Sequence, residues 1–292
     1  AKGRVALISV ASTFADPMRA GDQRMDMRGR PGLAPVRHSR TYVLPEPAFS
    51  QLSSVAQAMG QRGGDERLRF LRESFVLGDE ARIETHPHEG DLARLTAAID
   101  DARRQANFVV VSSHSHEGMP GQRQVPAQFV QEMARAAVDA GADIVVMHGP
   151  HVLRGIEVRD GKPIFYSLAN FIFQNETVPL QPAENYESQG LEPDALPGLF
   201  YDERIDYGRR SFPADPKYWE SVLATVRFDD GALAEITLHP VTLGYGLERP
   251  QRGRPLLAEG AHARAIIEEM DALSRPFGTR VVWEDGVGRV RP

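Results

Sequence analysis

Nine histidines occur in the 292 residues, and four of them stand in two short clusters. One cluster reads His114-Ser115-His116-Glu117, the other His148-Gly149-Pro150-His151. Imidazole nitrogens bind transition metals at about 2.0–2.1 Å, so a metal site needs several of them converging on one point. Gly149 and Pro150 force a tight turn, which lets His148 and His151 face the same pocket. Glu117 directly follows His116, and a carboxylate beside a metal-held water is a candidate general base. The same carboxylate could instead fix a histidine tautomer. Arg154 carries the planar fork that grips a phosphate or carboxylate; its plain alternative is a surface arginine on a hairpin. Asn170, at the end of Tyr166-Ser167-Leu168-Ala169-Asn170-Phe171, is expected to terminate a strand and is a candidate pocket residue or turn former. Ser112 and Ser113 precede His114, but the Gly-x-Ser-x-Gly elbow of a serine hydrolase is absent. No phosphate-cradling glycine loop of standard spacing is present. A third pair, His86-Pro87-His88, lies in a polar stretch ahead of a helix rather than after a strand, and is read outside the ligand set. His38, His239 and His262 are isolated and are read as surface or structural residues.

The two clusters need elements to position them. Each follows a short, continuous apolar run, at 108–113 and 144–147, which reads as a buried strand. Between the runs, Val125, Phe129, Val130, Met133 and Ala137 mark an amphipathic helix, with Pro126 in its first turn and Gly141 just past its end. A helix linking two such strands makes them parallel. Ligands of open α/β sheets bind outside the carboxyl ends of the strands. If the strands are neighbours, their tips lie about 5 Å apart, close enough for the two histidine pairs to meet.

Elsewhere, residues 5–10 read as a strand and 11–47 as a long loop. Residues 48–75 read as mainly helical, broken at Gly60 and at Gly63-Gly64. Leu92, Leu95, Ile99 and Ala102 predict a helix, with Asp91 at its start and Arg103-Arg104 at its end as the helix dipole favours. Asp160-Gly161, Asp229-Asp230-Gly231 and Asp285-Gly286 each sit between strand-like runs and predict three hairpins. Residues 174–217, rich in Pro, Asp, Glu and Tyr, read as a long insertion loop. A last helix is expected over about 256–273.

Composition excludes several classes. Apolar residues make up 41% and charged residues 25%, values of an ordinary soluble domain rather than a disordered chain. The net charge of −6 argues against a general nucleic-acid binder. With no Cys there is no disulfide framework, thiolate ligand or thiol nucleophile. No apolar run is long enough to span a membrane. The chain opens Ala1-Lys2-Gly3-Arg4 with neither an initiator Met nor a signal-peptide pattern. It reads equally as a mature terminus or as the middle of a longer protein.

One ordered string resembles a known family. It runs Gly141-Ala142-Asp143-Ile144-Val145-Val146, His148-Gly149-Pro150-His151-Val152, Gly155-Ile156-Glu157, Gly161-Lys162-Pro163-Ile164-Phe165-Tyr166-Ser167-Leu168 and Asn170-Phe171. This is similar to the CapA family, the poly-γ-glutamate capsule biosynthesis proteins, which look like members of the calcineurin-like metallophosphoesterase superfamily. Arg30-Pro31-Gly32 also resembles a segment of one bacterial branch. The resemblance implies an α/β fold, an αββα sandwich of two mixed sheets flanked by helices. Residues 1–245 would form the latter part of that domain, with 174–217 inserted, and 246–292 a C-terminal helix and hairpin extension.

The resemblance further implies one or two divalent ions (Mn, Zn or Fe) held by His114, His116, His148 and His151. It makes His116 and Glu117 candidate catalytic groups and Arg154 and Asn170 candidate substrate contacts. Imidazole ligands favour transition metals over Mg. The implied function is metal-dependent hydrolysis linked to capsule or cell-surface polymer metabolism, on an anionic small molecule or a glutamyl polymer. The alternatives are a non-catalytic subunit of polymer synthesis or export, and an epimerase acting next to an amide carbonyl. The compartment, cytoplasmic or exported, stays open. The chain departs from the family pattern at Gly149, where many members read His, and at Ala169, where Gly is usual. It also contains no Asn-His dipeptide and no Asp-x-His. Gly78-Asp79 falls in the wrong order to supply the family's acidic ligand. Residues 5–10 are therefore expected to match a middle strand, with the N-terminal portion and its ligands lacking.

Overall fold

The apolar runs ahead of the two histidine clusters do become strands. A computed structural model describes residues 3–61 and 63–291; Ala1, Lys2, Arg62 and Pro292, and with them the opening Ala-Lys, lie outside the described residues. Contacts divide the chain into two units, residues 1–147 with 162–164, and residues 148–161 with 165–292. The fold is mixed α/β, several sheets with flanking helices, consistent with the metallophosphoesterase-like class expected from the sequence.

The first unit runs β1 (Val5–Ala11), β2 (His38–Leu44), α1 (Ala48–Ala58), β3 (Arg67–Phe70), β4 (Glu73–Leu77), β5 (Arg82–Pro87), α2 (Glu89–Gln105), β6 (Phe108–His114), β7 (Gly118–Met119), β8 (Gln122–Pro126), α3 (Gln128–Asp139) and β9 (Ile144–His148). β1 and β6 pair in parallel with Val5 opposite Phe108 and Ala11 opposite His114. The strand order is β1-β6-β9, with β1 at the sheet's edge. A second sheet has the order β3-β4-β2-β5. Along β6, Val109, Val111 and Ser113 are buried, while Phe108, Val110, Ser112 and His114 are half-buried on the other face.

α3 buries Phe129, Val130, Met133, Ala134, Ala137 and Val138. Each large apolar side chain buried this way stabilises by about 1.5–3 kcal/mol. Two buried carboxylates tie elements together. Asp143 accepts from Val109 N–H at 2.8 Å, Arg103 at 2.7 Å and Lys162 at 2.8 Å. Asp91 accepts from the Arg37 guanidinium at 2.7 and 2.8 Å and from Arg94. Burial would push the Asp91 pKa up; the Arg37 hydrogen bonds overcome that and hold it below the usual carboxylate range.

The second unit contains β10 (Ile156–Arg159), then β11 (Lys162–Phe165), whose first three residues count with the first unit. It continues through α4 (Ala183–Glu187), α5 (Pro197–Arg204), β12 (Glu220–Asp229), β13 (Ala232–Thr242), β14 (Leu256–Leu257), α6 (Gly260–Ser274), β15 (Val282–Glu284) and β16 (Val287–Val290). Its sheet has the order β12-β13-β16-β15, with β14 on β13. α6 buries Ala263, Ile266, Ile267 and Met270. Gly155 has no room for a side chain, because a Cβ there would stand 2.2 Å from the Leu273 carbonyl oxygen. All three predicted Asp-Gly turns form with both residues at positive φ. That is the mirror-image turn whose twist matches a hairpin.

Several expectations change. The 11–47 loop contains a strand, β2. The helical reading of 48–75 holds only for α1, and 67–77 forms β3 and β4. His86 lies in a strand, β5, rather than in a polar stretch. Pro126 and Val125 end β8 instead of opening α3, which starts past Ala127. The 174–217 insertion is not a plain loop: α4 and α5 enclose a small core of Tyr186, Phe200 and Tyr201. The last helix starts four residues later than expected, after β14.

Candidate functional site

His114 is the last residue of β6, and the register explains what meets it. Because Ala11 stands opposite His114, the chain after β1 runs beside 115–117, and Ser12 N–H donates to the His114 carbonyl at 2.9 Å. Thr13 Oγ1 accepts from His116 N–H at 2.9 Å. The His114 and His116 rings then converge, their Nε2 atoms 3.0 Å apart and centroids 4.9 Å apart. As a hydrogen bond, one ring donates and the other accepts.

Glu117 is clamped rather than free to shuttle protons. Ser12 donates to its Oε2 at 2.6 Å, Ser115 to Oε2 at 3.0 Å and Thr13 to Oε1 at 2.9 Å. Burial alone would raise its pKa. The Ser12 hydrogen bond, its own backbone N–H, Thr13 and Ser115 more than offset this and hold Glu117 below the usual glutamate value. The group is therefore an ionised, well-satisfied acceptor at neutral pH.

In the second unit His151 has a different support. Its Nδ1 lies 2.8 Å from Asn170 Oδ1. Asn170 Nδ2 donates to the carbonyls of Tyr218 at 3.1 Å and His151 at 3.4 Å, so the amide oxygen is the atom that faces the ring. An amide oxygen only accepts, hence the neutral ring carries its proton on Nδ1 and its lone pair on Nε2. Phe173 and Phe212 flank the ring at centroid distances of 5.8 and 5.4 Å. His151 sits at φ 64°, in the left-handed region. His148 ends β9 and is exposed. Arg154 is fully buried, so the surface-arginine alternative fails. Its N–H donates to the Ser167 carbonyl at 3.1 Å.

Four further histidines have partners outside the two clusters. His88 caps α2, accepting from Asp91 N–H at 3.3 Å, and His86 pairs with Glu132 at 3.2 Å. His262 pairs with Glu220 at 2.8 Å. His38, read as isolated, stacks flat on Phe129 at 4.0 Å. Burial lowers its pKa, while the field of Glu117 acts in the opposite direction. Ser12 and Thr13 are site neighbours that the sequence reading did not single out, and His38, read there as surface or structural, is a third. The parallel pairing of 5–11 with 108–114 would have found Ser12 and Thr13. Ser113 Oγ is buried without a hydrogen-bond partner, so it forms no Ser–His pair.

The fit to a metal is partial. Two Nε2 atoms 3.0 Å apart can both lie about 2.0–2.1 Å from one ion. Among the described residues, however, no three His, Asp or Glu side chains gather in a group that could hold a metal. No helix among them is long and apolar enough to cross a membrane.

Comparison with known proteins agrees with the residues. The family described as bacterial capsule synthesis protein PGA_cap matches residues 2–175. The uncharacterized protein y4sH of Sinorhizobium fredii is 35% identical over 303 residues, covering all of this chain and 65% of the relative. The PGA biosynthesis protein CapA of Bacillus subtilis is 49% identical over 78 residues, 26% of this chain and 19% of the relative. The capsule biosynthesis protein CapA of Bacillus anthracis is 41% identical over 85 residues, 28% of this chain and 19% of the relative. The chain thus spans 65% of the length of the Sinorhizobium relative it matches.

Proposed function

Because the chain belongs to the CapA family of bacterial capsule synthesis proteins, we propose that it serves capsule or cell-surface polymer metabolism as a metal-dependent hydrolase. The observation that carries this reading is the convergent His114–His116 pair at the carboxyl end of β6. Those two imidazoles would be ligands to a divalent ion (Mn, Zn or Fe), and His148 and His151 are carried forward as further ligand candidates from sequence. Such an ion, when bound, activates a water or polarises a phosphoryl or carbonyl oxygen.

The chain's own groups have distinct parts in the proposal. Thr13 fixes the backbone that carries the His116 ring. Glu117, saturated with hydroxyl donors, holds Ser12 and Ser115 in place and lends negative charge, which favours a positioning role over that of a base. Asn170 selects the His151 tautomer in which Nε2 would be the atom that takes a proton or a metal. Arg154 acts from the interior, since its burial keeps it from meeting a ligand at the surface. The substrate proposed is an anionic small molecule or a glutamyl polymer.

The test is metal retention followed by turnover. The chain is equilibrated separately with Mn, Zn and Fe, dialysed, and assayed for bound metal. Retained metal that is lost in a His114→Ala plus His116→Ala variant supports the reading. Equal retention by the variant, or none by the parent, sinks it. A His148→Ala plus His151→Ala variant tests the second pair in the same way. The absence of a three-residue ligand group among the described residues favours a second reading, a non-catalytic subunit. Metal-loaded protein inert toward phosphoester and glutamyl-peptide panels supports that one.

A further inference from the structure

The backbone of β1 faces two ways. The Arg4 carbonyl accepts from Asn107 and Phe108 N–H at 2.9 and 3.2 Å, and Ser12 N–H donates to the His114 carbonyl at 2.9 Å. The even-numbered residues therefore turn their polar backbone groups toward β6. Ala11 turns the other way. Its N–H donates to the Ala34 carbonyl at 3.0 Å, and its carbonyl accepts from Val36 N–H at 2.8 Å. Because these directions alternate along a strand, the N–H and C=O groups of Val5, Leu7 and Ser9 point outward as those of Ala11 do. Among the described residues no backbone group pairs with them. The chain that meets Ala11 does not continue alongside, because Leu33 is already engaged. Its N–H donates to the Met18 carbonyl at 3.0 Å, and its carbonyl accepts from Ala20 N–H at 2.9 Å.

Both faces beside this open edge are apolar. On one face Val5 and Leu7 are largely exposed. On the other, Ile8 and Val10 floor a groove of about 330 Å³, walled by Leu95 and Ala98 of α2 and by Ala34 and Pro35. The groove has a charged rim, but the charges are balanced. Arg94 pairs with Asp22 at 3.4 Å and with the buried Asp91, which also accepts from Arg37. Two guanidinium groups thus meet two carboxylates, and a charged side chain entering the groove would lose its hydration without finding a free partner.

These features together select the shape of an occupant. A helix covers one apolar face and leaves the edge groups to water. An extended chain meets the edge with its backbone and both faces with alternate side chains. A second copy pairing antiparallel through its own β1, centred on Leu7, would set Ala6 beside Ile8 and Arg4 beside Val10. That leaves the groove underfilled and brings a charge to its apolar floor. We infer that β1 receives an extended, uncharged segment of a different polypeptide as an added strand along residues 5–9, with alternate apolar side chains seated in the Ile8–Val10 groove. Five residues of edge give such a strand about 17 Å of pairing. It would lie beside the strand that leads into Ser12 and Thr13. The inference goes beyond the hydrolytic reading and is independent of it, since binding is measured without metal or turnover.

The probe is a fluorescein-labelled, end-capped peptide of alternating valine and threonine, followed by anisotropy. Saturable binding is expected, with slower amide exchange at Leu7 and Ser9 in the complex. Two further peptides carry N-methyl groups on every valine or on every threonine. Only one set of amides can face β1, so one methylated peptide should bind at least about tenfold more weakly and the other about as well as the parent peptide. Leu7→Pro removes an outward N–H and leaves the bonds to β6, a position where an edge strand accepts proline. It should weaken binding about tenfold. No saturable binding, or equal loss from both methylations, overturns the inference. So does concentration-dependent self-association that protects the Leu7 amide without peptide, which assigns the edge to a second copy. If Leu7→Pro does not fold, the methylated pair decides alone.

Discussion

Two regions hold an imidazole in opposite ways. In the first unit His114 and His116 are placed by backbone register and a hydroxyl clamp, and their rings meet through Nε2. Either ring can carry the shared proton. In the second unit His151 is fixed at Nδ1 by Asn170, which selects one tautomer of the neutral ring. The first arrangement positions a pair and leaves protonation open. The second fixes the tautomer of a single ring. A protein that must bind a cation profits from the former and one that must accept a proton at a defined atom from the latter.

The largest effect expected on this contrast comes from Asn170→Ala. It strips the buried Tyr218 carbonyl of a donor and the His151 Nδ1–H of its acceptor, a loss of about 2–3 kcal/mol in urea unfolding. Nitrogen chemical shifts of the neutral His151 ring should change from a single Nδ1–H tautomer to a mixture. An unchanged tautomer would break the comparison. Glu117→Gln is expected to cost less, about 1–2 kcal/mol at neutral pH. Its sign is set by the depressed pKa: the stabilisation is complete above the ordinary glutamate value of 4.5 and is lost as pH falls through the folded-state value. The stability gap between parent and Glu117→Gln should therefore shrink on acidification; a gap constant down to pH 3 would show that the clamp does not hold an ionised carboxylate. Thr13→Val is the mildest change. It removes the acceptor for His116 N–H and one donor to Glu117, for about 0.5–1 kcal/mol. Amide exchange at His116 should rise while that of His151 stays unchanged.

How far the sequence could be read followed from how each segment is buried. The runs 108–113 and 144–147 carry apolar residues on both faces of their strands, and the helices at Leu92–Ala102 spacing and around Met133 carry them on one covered face; both patterns were legible. The three Asp-Gly hairpins were legible because a mirror-image turn accepts few other residues. β3 and β5 alternate arginine and glutamate with single apolar residues, Arg67-Leu68-Arg69-Phe70 and Arg82-Ile83-Glu84-Thr85. A search for apolar runs passes over such strands. α4 and α5 are too short for a helical period and are held by Tyr186, Phe200 and Tyr201, whose contact is tertiary. The histidine clusters were visible as residue types. Their supports, Ser12, Thr13 and the Asn170 amide orientation, depend on strand register and on carbonyls far away in the chain.

β1 lies at the edge of its sheet: β6 pairs along one side, and on the other an isolated bridge joins Ala11, at its end, to Pro35. Val5 and Leu7 on it are 68% and 67% exposed. An open strand edge with an apolar face is a template for pairing with another molecule. In a concentrated preparation this is where aggregation is expected to start, well away from the histidines. A lysine at position 7, Leu7→Lys, places on the edge the residue that natural sheets use to discourage such pairing. It should raise the attainable concentration in solution without altering the thermal midpoint.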